Sequence, residues 1–360
     1  MQDRLQNFHA LSLDFAALGD AELMQLIAQT PGEKGWGRNH VISLNDRRVF
    51  IKRIPLTERA YINKFSLANT FDLPSFYNYG FGSAGLGVFR ELYAHIATTQ
   101  SLLAGGSAQV PLLFHYRIVD AITRADPLDD VAHCESVKFW ANSAQIDTYL
   151  RAHHHAPYEL VLCLEYFPHC LGFDSWFSTN THRIDEIASA MFKTLKDFRA
   201  QGILHFDCQF HNILTDGTSF FLTDFGLSIP HRACLNDADK SFYNQHRFYP
   251  EAVFLASCSW HLAYAFLQLP RSAREQVVLI ANISDPDDEF KTGTELLAAL
   301  ERIADINLQL SRPYKNFLLK YREPIQIARR FTYAMINNDA KDTSPPNAKF
   351  EQALHQTGWA

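Results

Sequence analysis

The strongest restriction on the fold of this chain is a short stretch in which acidic and amide side chains interrupt apolar segments. The stretch reads ILHFDCQFHNIL from Ile203 and SFFLTDFG from Ser219, which places Asp207, Asn212 and Asp224 at intervals of five and twelve residues. Short apolar runs that flank a polar loop predict strands on either side of it. A single aspartate or asparagine in a turn has backbone reasons to be there, but the whole set, bracketed by apolar strands, indicates a functional site.

The two motifs, H-x-D-x-x-x-x-N and D-F-G, together resemble the catalytic loop and the magnesium loop of the protein kinase-like superfamily. Phosphoryl transfer needs a carboxylate at the attacking hydroxyl, and an amide and a second carboxylate that hold metal ions on the triphosphate. The resemblance implies that Asp207 orients the acceptor hydroxyl and takes its proton, and that Asn212 and Asp224 bind Mg²⁺. It also implies that ATP is required as a cofactor together with Mg²⁺, and that His205 braces the loop.

Further upstream, the same resemblance implies a glycine turn, a lysine on the strand that follows it, and a hinge. Gly35 and Gly37 in GWG would let backbone N–H groups approach phosphate, and Lys52 in VFIKRI would contact the α- and β-phosphates. LCLEYFP resembles the hinge strand that binds adenine through backbone groups, so that Glu165 and Phe167 would line the nucleotide site. A plain core strand is the competing interpretation of these residues.

The expected partner of the lysine is a glutamate on the helix that follows. FRELYAHIATTQSLL has helical spacing, and Glu91 within it is the candidate. Because Glu91 lies 39 positions beyond Lys52, an insertion over residues 57–87 has to be assumed. Glu58 is the alternative if TERAYINKF is the helix instead, and a solvated helix charge is the competing interpretation of Glu91.

Outside these motifs, hydrophobic periodicity predicts a mixture of strands and helices. Two strand-like runs, GWGRNHVISL and RRVFIKRI, flank Asn45-Asp46 and indicate a hairpin, and YELVLCLEYF is typical of a strand buried on both faces. HRIDEIASAMFKTLKDFRA has the spacing of an amphipathic helix that ends at Gly202. Residues 73–87, with a proline and four glycines, predict a connector with turns, and residues 126–155 are polar and predict irregular structure.

The order of these signals, together with the resemblance, predicts an α+β fold that is bilobal and protein-kinase-like, with a small β-rich N-lobe and a larger helical C-lobe. We expect residues 1–164 to form the N-lobe with an N-terminal extension, the glycine loop and the insertion. Residues 165–338 would form the C-lobe with the catalytic and magnesium loops, and residues 339–360 a C-terminal tail. A chain of 360 residues is long enough for this arrangement.

Charge and N-terminal composition limit the partners that we expect. The formal net charge of -6 gives no global electrostatic reason to expect nucleic acid as a partner. The first residues, MQDRLQNFHA, carry charge without a continuous apolar stretch, so that neither a secretory signal nor a membrane anchor is expected and a cytoplasmic location follows. None of the six cysteines forms a C-x-x-C pair, which favours reduced thiols.

Two departures from the family pattern lie close to these motifs. Gln209 is found where Ser/Thr kinases carry a lysine and aminoglycoside or choline kinases often carry a histidine, two residues after the catalytic aspartate. A positive neighbour for the γ-phosphate is therefore missing, and His211, Arg199 and Arg247 are the residues considered as its source. Tyr249-Pro250-Glu251 is the nearest match to the A-P-E motif of protein kinases, and it lacks the alanine.

The leading functional hypothesis is an ATP- and Mg²⁺-dependent phosphotransferase that acts on Ser or Thr of a protein. HFD-x-x-F-x-NIL-TDG also resembles a group of uncharacterised bacterial kinase-like proteins between Ser/Thr protein kinases and aminoglycoside- and choline-type kinases. A small-molecule kinase of the latter type is therefore the first alternative. A nucleotide-binding pseudokinase and an enzyme that transfers AMP instead of phosphate are the others.

Overall fold

The computed structural model describes residues 2–30, 33–35, 37–121, 127–172, 176–303 and 310–359. These residues form a mixed α+β fold with one five-stranded sheet, two smaller sheets and many helices, in agreement with the predicted α+β class. The strands are β1 (Glu33–Gly35), β2 (Gly37–Leu44), β3 (Arg47–Leu56), β4 (Leu113–Asp120), β5 (Tyr158–Glu165), β6 (His169–Cys170), β7 (Ile203–Leu204), β8 (Ile213–Thr215), β9 (Phe220–Leu222) and β10 (Ile229–Pro230).

The helices surround the large sheet and make up most of the second half of the chain. They are α1 (Gln2–Ala17), α2 (Asp20–Ala28), α3 (Glu58–Ile62), α4 (Val88–Leu103), α5 (Asp130–Phe139), α6 (Ala144–His154), α7 (Trp176–Thr179), α8 (Ile184–Ala200), α9 (Asp237–Gln245), α10 (Tyr249–Cys258), α11 (Trp260–Leu267), α12 (Arg271–Ala281), α13 (Glu289–Ala298), α14 (Arg312–Lys320), α15 (Arg322–Asn337) and α16 (Asn347–Gln356). Short 3₁₀ turns occur at Ser75–Tyr79, Thr181–Arg183, Phe210–Asn212, Phe225–Leu227 and His231–Ala233. In the part of the chain that is described, no helix combines the length and the apolar character needed to cross a membrane.

The five-stranded sheet is antiparallel throughout and has the order β1-β2-β3-β5-β4. β5 pairs with β3 on one side and β4 on the other, so it lies inside the sheet, and its side chains are buried on both faces. Leu160 and Leu162 join one hydrophobic cluster, while Val161 and Cys163 join the main core. This position explains why the β5 sequence is a continuous apolar run, and the predicted buried strand is confirmed.

The hairpin of β2 and β3 fixes the position of Lys52. Asn45 and Asp46 link the two strands with φ angles of 49° and 61°, a left-handed turn that asparagine and aspartate tolerate better than most residues. The predicted hairpin is therefore confirmed. Its register pairs Lys52 with Asn39 on one side, and the adjoining strand pairs it with Leu162 on the other.

Helix α8 precedes β7 and the polar loop in the chain. Its apolar stripe, which includes Ile187, Met191 and Leu195, is buried in the main core. The helix stops before Gly202, whose φ of 74° is readily adopted only by glycine, and β7 begins directly afterwards. Both the helix and its glycine terminator agree with the prediction.

The prediction of irregular structure over residues 126–155 is wrong, because α5 and α6 occupy most of this range. Each helix begins at a side-chain cap: Asp129 accepts hydrogen bonds from the first turn of α5, and Ser143 accepts one from the first turn of α6. Although the range is polar in composition, it contains a few large apolar residues, among them Trp140 and Tyr149, that pack together in one cluster.

These two helices form a unit with part of the connector that precedes α4. Tyr77 packs edge-on against Trp140 with ring centroids 5.1 Å apart, and Phe71 packs against Tyr149 at 5.2 Å. We refer to residues 71–87 together with α5 and α6 as the cap. The connector predicted from the sequence is thus part of a cluster with its own hydrophobic contacts.

Candidate functional site

Lys52 connects two carboxylates that come from distant parts of the chain. Its Nζ lies 2.7 Å from Glu91 Oε1 and 2.8 Å from Asp224 Oδ1. Burial alone would lower the pKa of the Lys52 ammonium, but the charges of Asp224 and Glu91 outweigh burial, and the pKa is raised. The lysine is therefore a fixed positive charge between the large sheet and the D-F-G loop.

Glu91, and not Glu58, is the carboxylate that reaches the lysine. Glu91 lies in the first turn of α4 and is buried, whereas Glu58 lies on the short helix α3 and is exposed. The chain between β3 and α4 accounts for the long interval of 39 positions that the sequence presented. Of the two alternatives left open by the sequence, the structure brings together the Glu91 pair.

The interval between Asn212 and Asp224 is explained by a short hairpin. β8 and β9 pair in antiparallel register from Ile213 opposite Leu222, so the residues before and after them meet at the open end. There the N–H of Thr223 donates to the Asn212 carbonyl at 2.8 Å. This arrangement places Asn212 beside the residue that precedes Asp224.

Asp207 is held by two amide side chains from its own loop. Gln209 Nε2 donates to Oδ1 at 2.9 Å, and Asn212 Nδ2 donates to Oδ2 at 2.7 Å. Burial and the negative charge of Asp224 raise the pKa of Asp207 to about 7, against the opposing effect of these hydrogen bonds. A carboxyl group with a pKa near neutrality is suited to take a proton from a hydroxyl.

His205 and Phe225 anchor the two loops to each other and to the core. His205 Nε2 donates to the carbonyl of Thr223 at 2.9 Å, and burial lowers the pKa of His205 to about 4, so the ring is neutral. Phe225 is fully buried, with its ring centroid 4.4 Å from that of His95 and 5.2 Å from that of His205. The bracing contact expected for His205 is therefore present.

Two oxygens of this site remain available for a metal ion. Asn212 Oδ1 and Asp224 Oδ2 accept no hydrogen bond from the described residues, and the Asp224 side chain is 40% exposed. Desolvation opposes ionisation of this partly exposed carboxylate, but the charge of Lys52 keeps the pKa of Asp224 below its usual range. A carboxylate and an amide oxygen, with room for water and phosphate, are a donor set that suits Mg²⁺.

These side chains line a cavity of about 180 Å³ that the cap covers. The described residues that line it are Lys52, Ile54, Pro55, Gly80, Ser83, Ala84, Glu91, His153, Asp207, Gln209, Asn212, Asp224, Gly226 and Leu227. The contribution of the cap was missed in the sequence, although the glycine-rich run in residues 80–87 was a signal for close backbone approach.

A second cavity, of about 430 Å³, adjoins the predicted hinge. Val41 and Phe50 of the large sheet and Leu214 of β8 line it, together with Glu165 and Phe167. Both predicted hinge residues line this cavity. Its lining combines apolar and polar side chains, a mixture that suits a small organic ligand.

The Glu165 carboxylate is held by the N-terminal helix. Arg4 donates to both of its oxygens, at 2.8 and 2.6 Å, and the Leu112 N–H donates to it at 3.1 Å. Arg4 also donates to the carbonyls of Ala108 and Val110. No local pattern in the sequence pointed to Arg4, since its partners lie more than 100 positions away.

The predicted glycine turn is described only in part. Gly35 and Gly37 face each other in the antiparallel pair of β1 and β2. Trp36 between them lies outside the described residues, and so does the predicted approach of this turn to phosphate.

Neither arginine expected to compensate for the missing cation at Gln209 reaches the site, which corrects that expectation. Arg199 is bound to Glu251 at 2.7 Å and to the carbonyl of Arg247 at 3.0 Å, so it is not available at the site. Arg247 is exposed, and neither arginine lines the 180 Å³ cavity. Among its described lining residues, Lys52 is the only lysine or arginine.

Comparisons with known proteins add no relative to this description. The sequence matches no protein-family model, and no curated protein is significantly similar to it.

Proposed function

We propose that this chain is an ATP- and Mg²⁺-dependent phosphotransferase with a bilobal, protein-kinase-like arrangement that moves the γ-phosphate of ATP to a hydroxyl group. The observation that carries the proposal is the Lys52 ammonium between Glu91 of α4 and Asp224 of the D-F-G loop, residues 39 and 172 positions away. In phosphotransferases of this kind the strand lysine, its helical glutamate and the metal-binding aspartate have to be assembled for transfer.

The geometry supports a separate role for each residue. Lys52 would contact the α- and β-phosphates, while Asn212 and Asp224 would hold Mg²⁺, which supplies charge stabilisation on the triphosphate. Asp207 would orient the acceptor hydroxyl and take its proton as the oxygen forms its bond to the γ-phosphorus and ADP leaves. The nucleobase would lie in the 430 Å³ cavity, next to the backbone of Glu165 and its neighbours.

A Ser or Thr side chain of a protein is one acceptor class for this reaction. The segment that would have to present such a peptide gives it little specific support. Tyr249 and Glu251 are buried within α10, and Glu251 is paired with Arg199. The Tyr249-Pro250-Glu251 run is therefore explained by helix packing alone.

Transfer to a small molecule is a second candidate function, and a specific cavity favours it. A space of about 310 Å³ lies on the other side of Gln209, which lines both this cavity and the catalytic one. Its described lining is Leu171, Gly172, Phe177, Ser178, Gln209, Phe210, His211, Ser257, Trp260, His261 and Glu289. Aromatic walls with one carboxylate suit a compact amphipathic acceptor better than an extended chain.

Calorimetric titration of the unchanged protein and three variants with Mg²⁺ and a β,γ-imido analogue of ATP tests the proposal. We expect Asp224→Ala to weaken binding by at least about tenfold, because it removes a charged metal ligand. Asp207→Ala should bind the analogue within about twofold of the unchanged protein and lose phosphate transfer, because its carboxylate acts on the acceptor. Asp237→Ala, at a fully exposed side chain, is the control and should bind normally.

Equal losses of nucleotide binding in the Asp207 and Asp224 variants would refute this division of roles. Failure of the unchanged protein to bind the analogue, with or without Mg²⁺, would refute the proposed function itself.

A further inference from the structure

The cap brings a second glycine-rich segment onto the catalytic residues. It reads GFGSAGLG over residues 80–87, a G-x-G-x-x-G pattern immediately before α4. Gly80 and Gly85 have φ angles of 87° and 73°, which residues with side chains rarely adopt. The pattern comes after Lys52 in the chain, and it is distinct from the Gly35 and Gly37 turn.

The backbone of this segment lies directly on the D-F-G loop. A Cβ atom at Gly80 would come within 2.8 Å of Leu227 Cδ1 and 3.7 Å of Asp207 Oδ1, and one at Gly85 would overlap the Gly226 carbonyl oxygen. Asn78 fixes the approach by donating from Nδ2 to the Leu227 carbonyl at 2.8 Å. At Gly85 only glycine permits the close approach, because an added Cβ would overlap a backbone atom.

Ser83, in the middle of the segment, has a hydroxyl with no partner. The residue is 6% exposed, and its Oγ makes no hydrogen bond within the described residues. It lines the same 180 Å³ cavity as Lys52 and Asn212. A buried hydroxyl without a partner has a cost that a bound ligand can remove.

The backbone of the segment has unused donors as well. Neither the N–H of Ser83 nor that of Gly85 has a hydrogen-bond acceptor in the part of the chain that is described. Successive backbone N–H groups in a glycine-rich turn are well suited to bind phosphate oxygens. Lys52 and His153 are the basic side chains among the described lining residues, and the other donors that the lining offers to the end of a triphosphate are neutral.

We propose that residues 80–85 are a phosphate-binding loop that holds the terminal phosphate of the nucleotide through the Ser83 hydroxyl and backbone N–H groups. The inference rests on the proposed function, because it assumes a nucleoside triphosphate in the catalytic cavity. It assigns the γ-phosphate to the cap and leaves the α- and β-phosphates to Lys52. It also explains how Gln209 can occupy the position of a cation, because the Ser83 hydroxyl and backbone N–H groups would contact the γ-phosphate in place of the missing charge.

The test compares the affinity of Ser83→Ala for two ligands, Mg²⁺ with the β,γ-imido analogue of ATP and Mg²⁺ with ADP. We expect binding of the analogue to weaken by about tenfold, the effect of losing one hydrogen bond to a charged group, and binding of ADP to change by less than about twofold. Ser12→Ala is the matched control, because the Ser12 hydroxyl is also buried with no hydrogen-bond partner among the described residues but lies on α1. It should bind both ligands normally.

A second pair of variants tests the backbone of the loop. Gly85→Ala pushes the loop away from Gly226, and we expect it to lose affinity for the analogue while it retains ADP binding. Gly217→Ala is its control, since Gly217 has a φ of 94° but open space around the added Cβ. It carries the same backbone strain without a change at the cavity.

Two results would overturn the inference and leave the proposed function intact. One is an unchanged affinity of Ser83→Ala for the analogue, and the other is an equal loss of affinity for the analogue and ADP. If the unchanged protein binds neither nucleotide, the proposed function fails and this inference fails with it.

Discussion

Among individual side chains, Gln209 departs furthest from the pattern that the surrounding motif implies. Its amide donates to Asp207 Oδ1 at 2.9 Å, so it holds the Asp207 carboxylate from one side while Asn212 does so from the other. A neutral amide cannot neutralise charge on a phosphate, and charge-assisted hydrogen bonds are roughly twice as strong as neutral ones. Gln209 thus preserves the geometry of the loop without supplying its usual charge.

Substitution of Gln209 separates these two effects. We expect Gln209→Lys to raise the Mg²⁺-dependent rate of ADP release by about fivefold, because it adds a charged donor that still reaches Asp207. Gln209→Leu should lower the rate by about tenfold, because Asp207 loses a donor. A coupled assay for ADP measures both, with Gln356→Leu in α16 as the control. Loss of activity in Gln209→Lys would mean that the loop requires the amide.

Among the helices and strands, the contact of α1 with the edge of the large sheet and the predicted hinge was the least expected from the sequence. Arg4→Ala leaves the half-buried Glu165 carboxylate with one backbone donor, and we expect the free energy of unfolding to fall by about 2 kcal/mol. Arg271→Ala is the control, because its ion pair with Glu275 is exposed and should contribute less than about 0.5 kcal/mol. Urea unfolding measures both, and equal effects would show that the Arg4 contacts add nothing specific.

The contact between the cap and α9 predicts a dependence on pH. His246 lies between Tyr79, whose Oη is 2.8 Å from Nε2, and the Phe242 carbonyl, which is 2.6 Å from Nδ1. Because a carbonyl only accepts, Nδ1 carries the proton and Nε2 accepts from the tyrosine. Burial lowers the pKa of His246 from 6.5 to about 4, so the folded protein holds the neutral ring.

The sign of the effect follows from that lowered pKa. Above pH 6.5 both folded and unfolded chains keep His246 neutral, and its contribution to stability is complete. As the pH falls towards 4, only the unfolded chain gains a proton, and about 2 kcal/mol of stability should be lost by pH 5. We expect His246→Gln to lose less stability than the unchanged protein between pH 7 and pH 5, by this amount. Parallel stability curves for the two proteins would contradict the assignment.

Features formed by residues that are close in sequence were predicted, whereas two features formed by distant residues were missed. β5 and α8 were readable because their apolar residues follow the period of the element, and the Asn212-to-Asp224 interval was readable because a ten-residue hairpin closes it. The cap was not readable, since Trp140 and Tyr149 find partners in residues 71–77 that are far away in sequence. Arg4 was missed for the same reason.

For the protein as a whole, the cap contributes to the cavity that contains Lys52, Asp207 and Asp224. Gly80, Ser83 and Ala84 line this cavity, and Gln209 lines both it and the 310 Å³ cavity. An acceptor that enters through the 310 Å³ cavity has to be small enough to fit into it. We therefore expect phosphate from ATP to appear on a compound of low molecular mass.

Transfer of label from ATP distinguishes phosphate transfer to a small acceptor from AMP transfer and from nucleotide binding without transfer. The unchanged protein and Asp207→Asn are incubated with Mg²⁺, an acceptor lysate, and either γ-labelled or α-labelled ATP, and the products are separated by size. We expect the γ-label alone to reach a small acceptor, and to do so only with the unchanged protein. Transfer of the α-label, nucleotide binding without any transfer, or undiminished transfer by Asp207→Asn would contradict the assignment of this chain as a phosphotransferase that uses Asp207.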